Sequence, residues 1–259
     1  MTLFTPEILA RFTRVQAALI HLGISALVAA ALVAVMLLVW YPSPYFAATG
    51  GATLLMLLIG VDVILGPLLT FIVFDPAKKS LSYDLAVIVM LQIAALVYGV
   101  HVMASARPAF VVYLRGGFDV VPANDVVTEG MAQAPLPEFQ SVPLAGPRLA
   151  ATRVPVDPGV QLRIGMEAAA GGADLTAYPR YYIPYSTASR NAAASGKPLA
   201  ALAQASPENA TAVAKLAASS GKSVAELVYL PLRARGAPMS IVLDRANGDV
   251  VGVLPLEPR

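Results

Sequence analysis

The sequence contains no cysteine, which excludes disulfide bridges and thiolate metal sites. Charged residues are scarce as well: they make up 13% of the 259 residues, about half of the roughly 25% that soluble domains carry. The net charge of +2 is small and dispersed, so no nucleic-acid partner is expected. Hydrophobic residues reach 57%. A balance of this kind is typical of a chain that is partly embedded in a membrane.

The charge deficit is confined to the first part of the chain. Residues 1–106 hold only four Lys/Arg and four Asp/Glu, whereas residues 107–259 hold the other 14 and 12. The sequence therefore predicts a helical membrane module over 17–106 and a soluble domain over 107–259. A domain of that length can enclose one hydrophobic core.

Three apolar runs are predicted to cross the membrane as helices, at about 17–40, 49–74 and 85–103. The first is free of charged residues throughout, and a helix of its length spans roughly 36 Å, more than the hydrocarbon core of about 30 Å. The aromatic and proline residues of the loop 41–48 suit a turn at the membrane interface.

Basic residues set the orientation of this module. Four of them flank the crossings, before the first run or between the second and third: Arg11, Arg14, Lys78 and Lys79. The loop 41–48 carries none. The positive-inside rule therefore predicts a cytoplasmic N-terminus (1–16) and places residues 107–259 on the far side, which in a bacterium is the periplasm.

The soluble domain is predicted to be of mixed α+β class. Residues 120–160 carry seven prolines and are expected to be loop-rich, without regular structure. Ser206 is a good helix N-cap and Gly221 a plausible stop, and Asn247-Gly248 is a strong hairpin signal. The predicted strands are 109–114, 118–121, 240–244 and 250–254.

Four of the ten tyrosines fall within "YPRYYIPY": Tyr178, Tyr181, Tyr182 and Tyr185. Such a cluster can bind a sugar or a protein, because a tyrosine offers apolar area together with a hydroxyl. Alternation would instead place Tyr181, Ile183 and Tyr185 on one strand face and favours core or edge packing. We favour packing and keep the four tyrosines as surface candidates.

No catalytic motif is found. The chain lacks G-x-S-x-G, zinc-spaced histidines and a phosphate-cradling glycine loop. Its two histidines, His21 and His101, lie near opposite ends of the predicted crossings, where each is expected to be an interfacial polar residue rather than a ligand. We expect no catalytic residue, cofactor or metal. A membrane-bound enzyme is the alternative, although an intramembrane aspartyl protease needs two acids that share a proton, and Asp62 is alone.

Three stretches of the sequence resemble the type IV pilin accessory protein family (the TfpX/TfpZ group): "YPSPYFAATGG", "LLIGVDVILGPLLTFIVFDPAKKSLSYDLAVI" and "LQIAALVYGVHVMASARPAFVVY". In the soluble domain only "GGADLTAYPRYYIPY" matches, and Arg115-Gly116-Gly117-Phe118 departs from the Asp-Arg-Phe expected there. Residues that recur at the family's spacing are the candidate functional or partner-contact residues: Asp62, Gly66, Pro67, Asp75, Lys78, Lys79 and Arg107.

The resemblance implies an inner-membrane protein that assists the handling or assembly of a type IV pilin, as an accessory factor or chaperone. Its partners would be the pilin and the lipid bilayer. A pilin has a hydrophobic N-terminal helix and a periplasmic head, so its helper needs both a membrane module and a periplasmic domain. Under the alternative, the enzyme would act on pilin or envelope substrates.

Asp62 lies near the middle of the second predicted crossing, where an ionised carboxylate costs at least about 2.5 kcal/mol. It is expected to stay protonated, to hydrogen-bond within the bundle, or to meet a polar group of a partner. Gln92 and Ser25 are the nearest internal candidates by depth. Pro67 is expected to kink the helix, because its ring leaves the carbonyl of Val63 without a helical donor.

Overall fold

The computed structural model describes residues 11–237 and 239–258. The chain forms two compact units, one of residues up to Leu38 with Gly51–Ala104, the other of Val39–Gly50 with the residues from Ser105 onward. Long helices make up the first unit, and a mixed sheet with helices makes up the second. The predicted fold class, three long apolar helices followed by an α+β domain, is confirmed.

The long helices found among the described residues are α1 (Arg14–Trp40), α2 (Gly51–Val73) and α3 (Leu81–Ala106), each long and apolar enough to cross a membrane. A capping box starts α1: the Thr13 hydroxyl accepts from the Gln16 N–H at 3.2 Å, and the Gln16 side chain accepts from the Thr13 N–H at 3.0 Å. Polar caps of this kind extend a helix beyond its apolar run.

Two of these helices contain a π-helical segment. The last turn of α1, Met36–Trp40, is π-helical, and so is Gly60–Leu65 in the middle of α2. In α2 the Gly66 N–H donates to the carbonyl of Val61, five residues back. Such π segments are frequent at functional sites, and this one contains Asp62.

The second unit is built on one mixed sheet. Its strands in the described residues are β1 (Pro108–Leu114), β2 (Gly117–Pro122), β3 (Arg148–Thr152), β4 (Tyr182–Pro184), β5 (Lys197–Pro198), β6 (Leu227–Arg233), β7 (Met239–Asp244) and β8 (Val250–Leu254). They lie in the order β4-β3-β1-β2-β6-β7-β8, with β5 paired to β6. The helices of this unit are α4 (Pro158–Ala169), α5 (Ser189–Ser195), α6 (Leu199–Ala203) and α7 (Pro207–Ser220).

Both faces of the sheet are buried. Successive side chains of a strand point to opposite faces, so neighbouring residues of one strand pack into different clusters. On β1, Val111 and Tyr113 pack into one hydrophobic cluster, whereas Phe110 and Val112 pack into another. On β6, Leu230 belongs to the first of these clusters, and its neighbours in the alternation join a third cluster under α6 and α7. The second unit therefore has a layered core.

The proline-rich segment differs from its prediction. It contains β3, which pairs in parallel with β1, and 3₁₀ turns that bury Met131 and Phe139 against the core. The ring of Phe139 packs edge-on to that of Phe110 at 6.3 Å. The segment is loop-rich as expected, but it is not without regular structure, because a five-residue strand between prolines gains its order from its neighbours rather than from its own pattern.

The local turn and cap signals are confirmed. Ser206 caps α7, its hydroxyl accepting from the Asn209 N–H at 3.1 Å, and Gly221 ends the helix with φ +67°. β7 and β8 form the predicted hairpin. The departure at Arg115-Gly116 falls on the two-residue turn between β1 and β2, where both residues have positive φ, as a type I′ hairpin requires.

Candidate functional site

A cavity of about 460 Å³ lies among the three helices of the first unit. Its walls are mostly aliphatic and aromatic side chains. Polar side chains enter it from every helix: His21 and Ser25 from α1, Asp62 and Thr70 from α2, and Gln92 from α3. A few polar groups converging in a mostly apolar cavity are the usual mark of a binding site.

Asp62 is the buried acid of this cavity, with 7% of its surface exposed. Its Oδ1 atom has no hydrogen-bond partner among the described residues, so neither Gln92 nor Ser25 provides the internal bond that depth suggested for this atom. Buried polar atoms without partners are costly and uncommon, and acids within membrane spans are functional by default. This carboxyl oxygen is left free to bond a ligand or partner.

The backbone carbonyl of Asp62, by contrast, is bonded: Nε2 of Gln92 donates to it at 3.2 Å. Pro67 explains this contact. Gly66 donates to Val61 in the π register, so the next donor would be residue 67 and its acceptor the Asp62 carbonyl. Proline has no N–H, and the Gln92 amide fills the vacant position.

Gly66 makes this contact possible, since a Cβ at position 66 would overlap the side-chain amide of Gln92. Pro67 follows shortly after the π segment, and the kink expected at Pro67 stays a prediction. The predicted acceptor, the Val63 carbonyl, is wrong because it assumed a regular α-helix, and the π register moves the vacancy to Asp62. Two of the candidate residues, Gly66 and Pro67, thus fix the backbone around the buried acid.

His21 belongs to the same cavity. Its Nδ1 atom shares a hydrogen bond of 2.6 Å with the hydroxyl of Thr70, and both residues line the cavity with Asp62. The expectation of an interfacial polar residue rather than a ligand stays a prediction, and the structure adds a polar partner on α2, because α1 packs along α2. The sequence did carry a signal for this face: His21 and Ser25 are four residues apart, on one side of a helix.

The charged candidates near the end of α2 lie outside the cavity lining. Asp75 pairs with Arg14 at 3.5 Å, and Lys78 pairs with Asp84 at 2.6 Å. Among the described residues Lys79 has no ion pair. Exposed pairs of this kind contribute at most about 1 kcal/mol, so they leave these side chains accessible at little cost.

Arg107 belongs to the other unit. Its Nε and Nη2 atoms both donate to the carbonyl oxygen of Pro143, at 3.2 and 2.9 Å. This forked contact ties the proline-rich segment to the start of β1. It gives Arg107 a structural function within the second unit.

The tyrosine-rich stretch is mostly core. Tyr178, Tyr182 and Tyr185 are buried and Tyr181 is half-buried, so as surface candidates the first three are wrong. Burial raises the pKa of Tyr178 to about 12, and its hydrogen bond to Glu167, at 2.7 Å, adds to the rise. Its hydroxyl is therefore engaged rather than offered to a partner.

The expected shared face of this stretch is only partly right. Ile183 and Tyr185 pack on the same cluster, but Tyr181 packs on the opposite one. A 3₁₀ turn over Pro179–Tyr181 interrupts the alternation before β4 begins. Propensity for a strand does not reveal such a turn.

A second cleft, of about 640 Å³, lies in the sheet domain. Both of its arginines are paired within the cleft, Arg233 with Asp119 at 2.5 Å and Arg235 with Asp125 at 2.6 Å, and its remaining acid, Asp174, accepts from the Leu175 N–H at 2.6 Å. No group of three or more His, Asp or Glu side chains that could hold a metal lies in the part of the chain that the structure describes. The cavity around Asp62 is the stronger candidate, because its acid is unpartnered.

Three apolar helices around a cavity with a buried acid, followed by a mixed sheet domain, define a membrane-associated protein with a polar site inside its helical module. A family model described as fimbrial assembly protein FimB matches residues 11–50. That range covers all of α1 and the connector to α2.

The chain belongs to the fimbrial assembly protein family, which confirms the resemblance to pilus accessory proteins. It is 36% identical over 183 residues, 70% of each chain, to the fimbrial assembly protein of serogroup I of Dichelobacter nodosus. Identity to the serogroup E1 protein is 35% over the same share of both chains. The protein of serogroups C1 and C2 is 37% identical over 44% of this chain and 89% of its own. No solved structure matches.

Proposed function

We propose that the protein is an accessory factor, acting as a chaperone, for a type IV pilin during pilus assembly. The names of its relatives, fimbrial assembly proteins, and the resemblance in sequence support a role in assembly. The observation that carries the finer proposal is the Oδ1 atom of Asp62, buried and unpartnered in a helical module. Such an atom can accept a hydrogen bond from a partner whose own donor lies inside the membrane.

The working location is the bacterial inner membrane, with the N-terminus in the cytoplasm and the sheet domain in the periplasm. The basic residues support this orientation, because Arg14, Lys78 and Lys79 lie at the two helix ends that would face the cytoplasm. Asp75 pairs with Arg14 at the same end. These exposed charges are available there for the polar end of a pilin.

The division into two units fits a pilin as client. A pilin has an apolar helix and a globular head. In this proposal the cavity among α1, α2 and α3 binds the pilin helix in the membrane before assembly, and the sheet domain binds the pilin head. Retaining the client by weak contacts at two places allows release into the growing pilus.

The experiment is replacement of the acid in the native host. Asp62→Asn keeps the size of the side chain and much of its hydrogen bonding but removes the charge. We expect the variant to accumulate normally in membranes, to lose most of the piliation, and to lose its crosslink to the major pilin. Glu129→Gln is the matched control, since Glu129 is an exposed acid of the sheet domain, and it should behave as the parent does.

Normal piliation by an Asp62→Asn protein that accumulates would contradict the role of the ionised acid. Failure of the parent protein to crosslink to any pilin in native membranes would contradict the chaperone proposal itself. Immunoblots of membrane fractions separate both results from simple loss of the protein.

A further inference from the structure

We infer that the cavity around Asp62 is a socket for a cationic, hydrogen-bond-donating group, such as an ammonium, that a partner carries into the membrane on an apolar helix. This inference rests on the proposed function for the identity of the partner, and it names the chemical group by which that partner is held. It makes Asp62 the specificity-determining residue of the module.

The chemistry of the acid selects a donor. An ionised carboxylate only accepts hydrogen bonds, and its strongest partners are cationic donors. Polar side chains of the cavity are engaged elsewhere: the Gln92 amide donates to the Asp62 carbonyl, and the His21 Nδ1 atom and the Thr70 hydroxyl share a hydrogen bond. The buried Oδ1 atom is thus not matched by a donor among the described residues of the chain.

No cation among the described residues forms an ion pair with Asp62. The Lys and Arg side chains of the first unit with ion pairs are committed to other acids, Arg14 to Asp75 and Lys78 to Asp84. These pairs lie outside the cavity lining. His21 lines the cavity and acts on Asp62 electrostatically, but it forms no ion pair with it, so a full ion pair at Asp62 requires a charge from another molecule.

The walls of the cavity fit the rest of the incoming group. Side chains such as Ile20, Ile24, Val89 and Leu96 line the cavity. Apolar walls of this kind suit the methylene stem of a long cationic side chain whose charged end reaches the acid. A lipid tail would fill the same space but would leave the carboxylate unpaired. An acidic group would be repelled, which gives the site its discrimination.

The test uses the full-length protein in lipid nanodiscs and model transmembrane helices as probes. Each probe is an apolar helix of about 20 residues with Lys, Leu or Glu at its centre, and binding is measured by fluorescence energy transfer to the labelled protein. We expect the Lys helix to bind at least about tenfold tighter than the Leu helix, and the Glu helix no tighter than the Leu helix. In the Asp62→Asn protein the preference for Lys should disappear.

Ile64→Asn is the matched control, because Ile64 is an exposed neighbour on α2 outside the cavity lining. It adds the same amide to the membrane and should keep the preference. Equal binding of the Lys and Leu helices by the parent protein overturns the socket, even if pilin crosslinks. A Lys preference that survives Asp62→Asn overturns it as well. A Lys preference through Asp62 without any pilin crosslink supports the socket and removes only the pilin as its occupant.

Discussion

The side-chain amide of Gln92 donates to the backbone carbonyl of Asp62 at 3.2 Å, at the position where the N–H of residue 67 would be if that residue were not proline. The contact joins α3 to the π segment of α2. It leaves the Asp62 side chain free while its backbone is held. The adjacent Gly66 and Pro67 and the distant Gln92 thus together fix the backbone around the buried acid.

The first prediction tests this arrangement with a double-mutant cycle. Gln92→Leu should lower the free energy of unfolding of the helical unit by about 1–3 kcal/mol, because a buried carbonyl loses its donor. With Pro67→Ala present the loss should be clearly smaller, since the new N–H at position 67 supplies a donor. Thermal unfolding of the four proteins in detergent gives the coupling. The same loss in both backgrounds would show that Gln92 acts in another way.

The second prediction compares two glycines of α2. Gly66→Ala should displace the Gln92 side chain, since its Cβ would overlap that amide, whereas a Cβ at Gly60 meets nothing within 4 Å. We expect Gly66→Ala to destabilise the module by about 1 kcal/mol through loss of the hydrogen bond. Gly60→Ala should be neutral or stabilising by up to about 1 kcal/mol through helix propensity. Melting temperatures of the two variants in one detergent measure the difference. An equal effect at both sites would contradict the overlap between a Cβ at position 66 and the Gln92 amide.

The third prediction concerns the hairpin of β7 and β8. Gly248 has φ +80° and a Cβ there would overlap the backbone of Ser189, whereas Gly171 has φ +84° in open space. Gly171→Ala should cost only the left-handed strain of about 1–2 kcal/mol, and Gly248→Ala should cost more. Hydrogen exchange of β7 and β8 in the full-length protein measures the difference. Equal protection in the two variants would speak against the close approach.

The fourth prediction concerns acid stability. The Lys222 ammonium, 2.5 Å from Asp244, holds the pKa of that carboxyl below its ordinary value, with help from the Ala246 N–H. The stabilisation is therefore complete above the unfolded pKa of about 3.9 and is lost as the pH falls through the lower folded pKa. Asp244→Asn should lower stability at neutral pH and flatten the acid limb of the stability profile. Melting temperatures measured from neutral to acid pH check this, and an unchanged limb would contradict it.

Lys222 makes the stability contributed by the same ion pair fall at alkaline pH as well. Its hydrogen bond to Asp244 raises the pKa of Lys222, so its contribution is complete below the unfolded pKa of about 10.4 and is lost as the pH rises through the folded pKa. Lys222→Met should remove this alkaline loss. It should also bring the pKa of Asp244 back toward its ordinary value.

The fifth prediction concerns orientation. Alkaline phosphatase fused after Arg107 should be active, because this enzyme works outside the cytoplasm, and a fusion at Ser80 should be inactive. Lys78 and Lys79 motivate the second expectation. Comparable protein levels by immunoblot make the comparison fair. Activity at Ser80 would reverse the proposed topology.

The sequence by itself was enough for the features that depend on short-range physics. Long charge-free runs can only be satisfied as helices in lipid, so three helices followed by a charged domain could be predicted. Ser206 and Gly221 marked the ends of α7, and Asn247-Gly248 marked the hairpin, because caps and tight turns are set by a few adjacent residues.

Only the tertiary structure decided which side chains meet. Apolar helices are hydrophobic all round, so periodicity does not tell how each is rotated toward its neighbours. Depth alone brought Gln92 near Asp62, but His21 and Thr70 could not be assigned to the same cavity. The π segment shifted the vacant carbonyl from Val63 to Asp62, a change of one residue that no local pattern encodes. Likewise β3 exists because β1 offers it a ladder of hydrogen bonds. Contacts between distant segments carry this information, and they form only when the chain has folded.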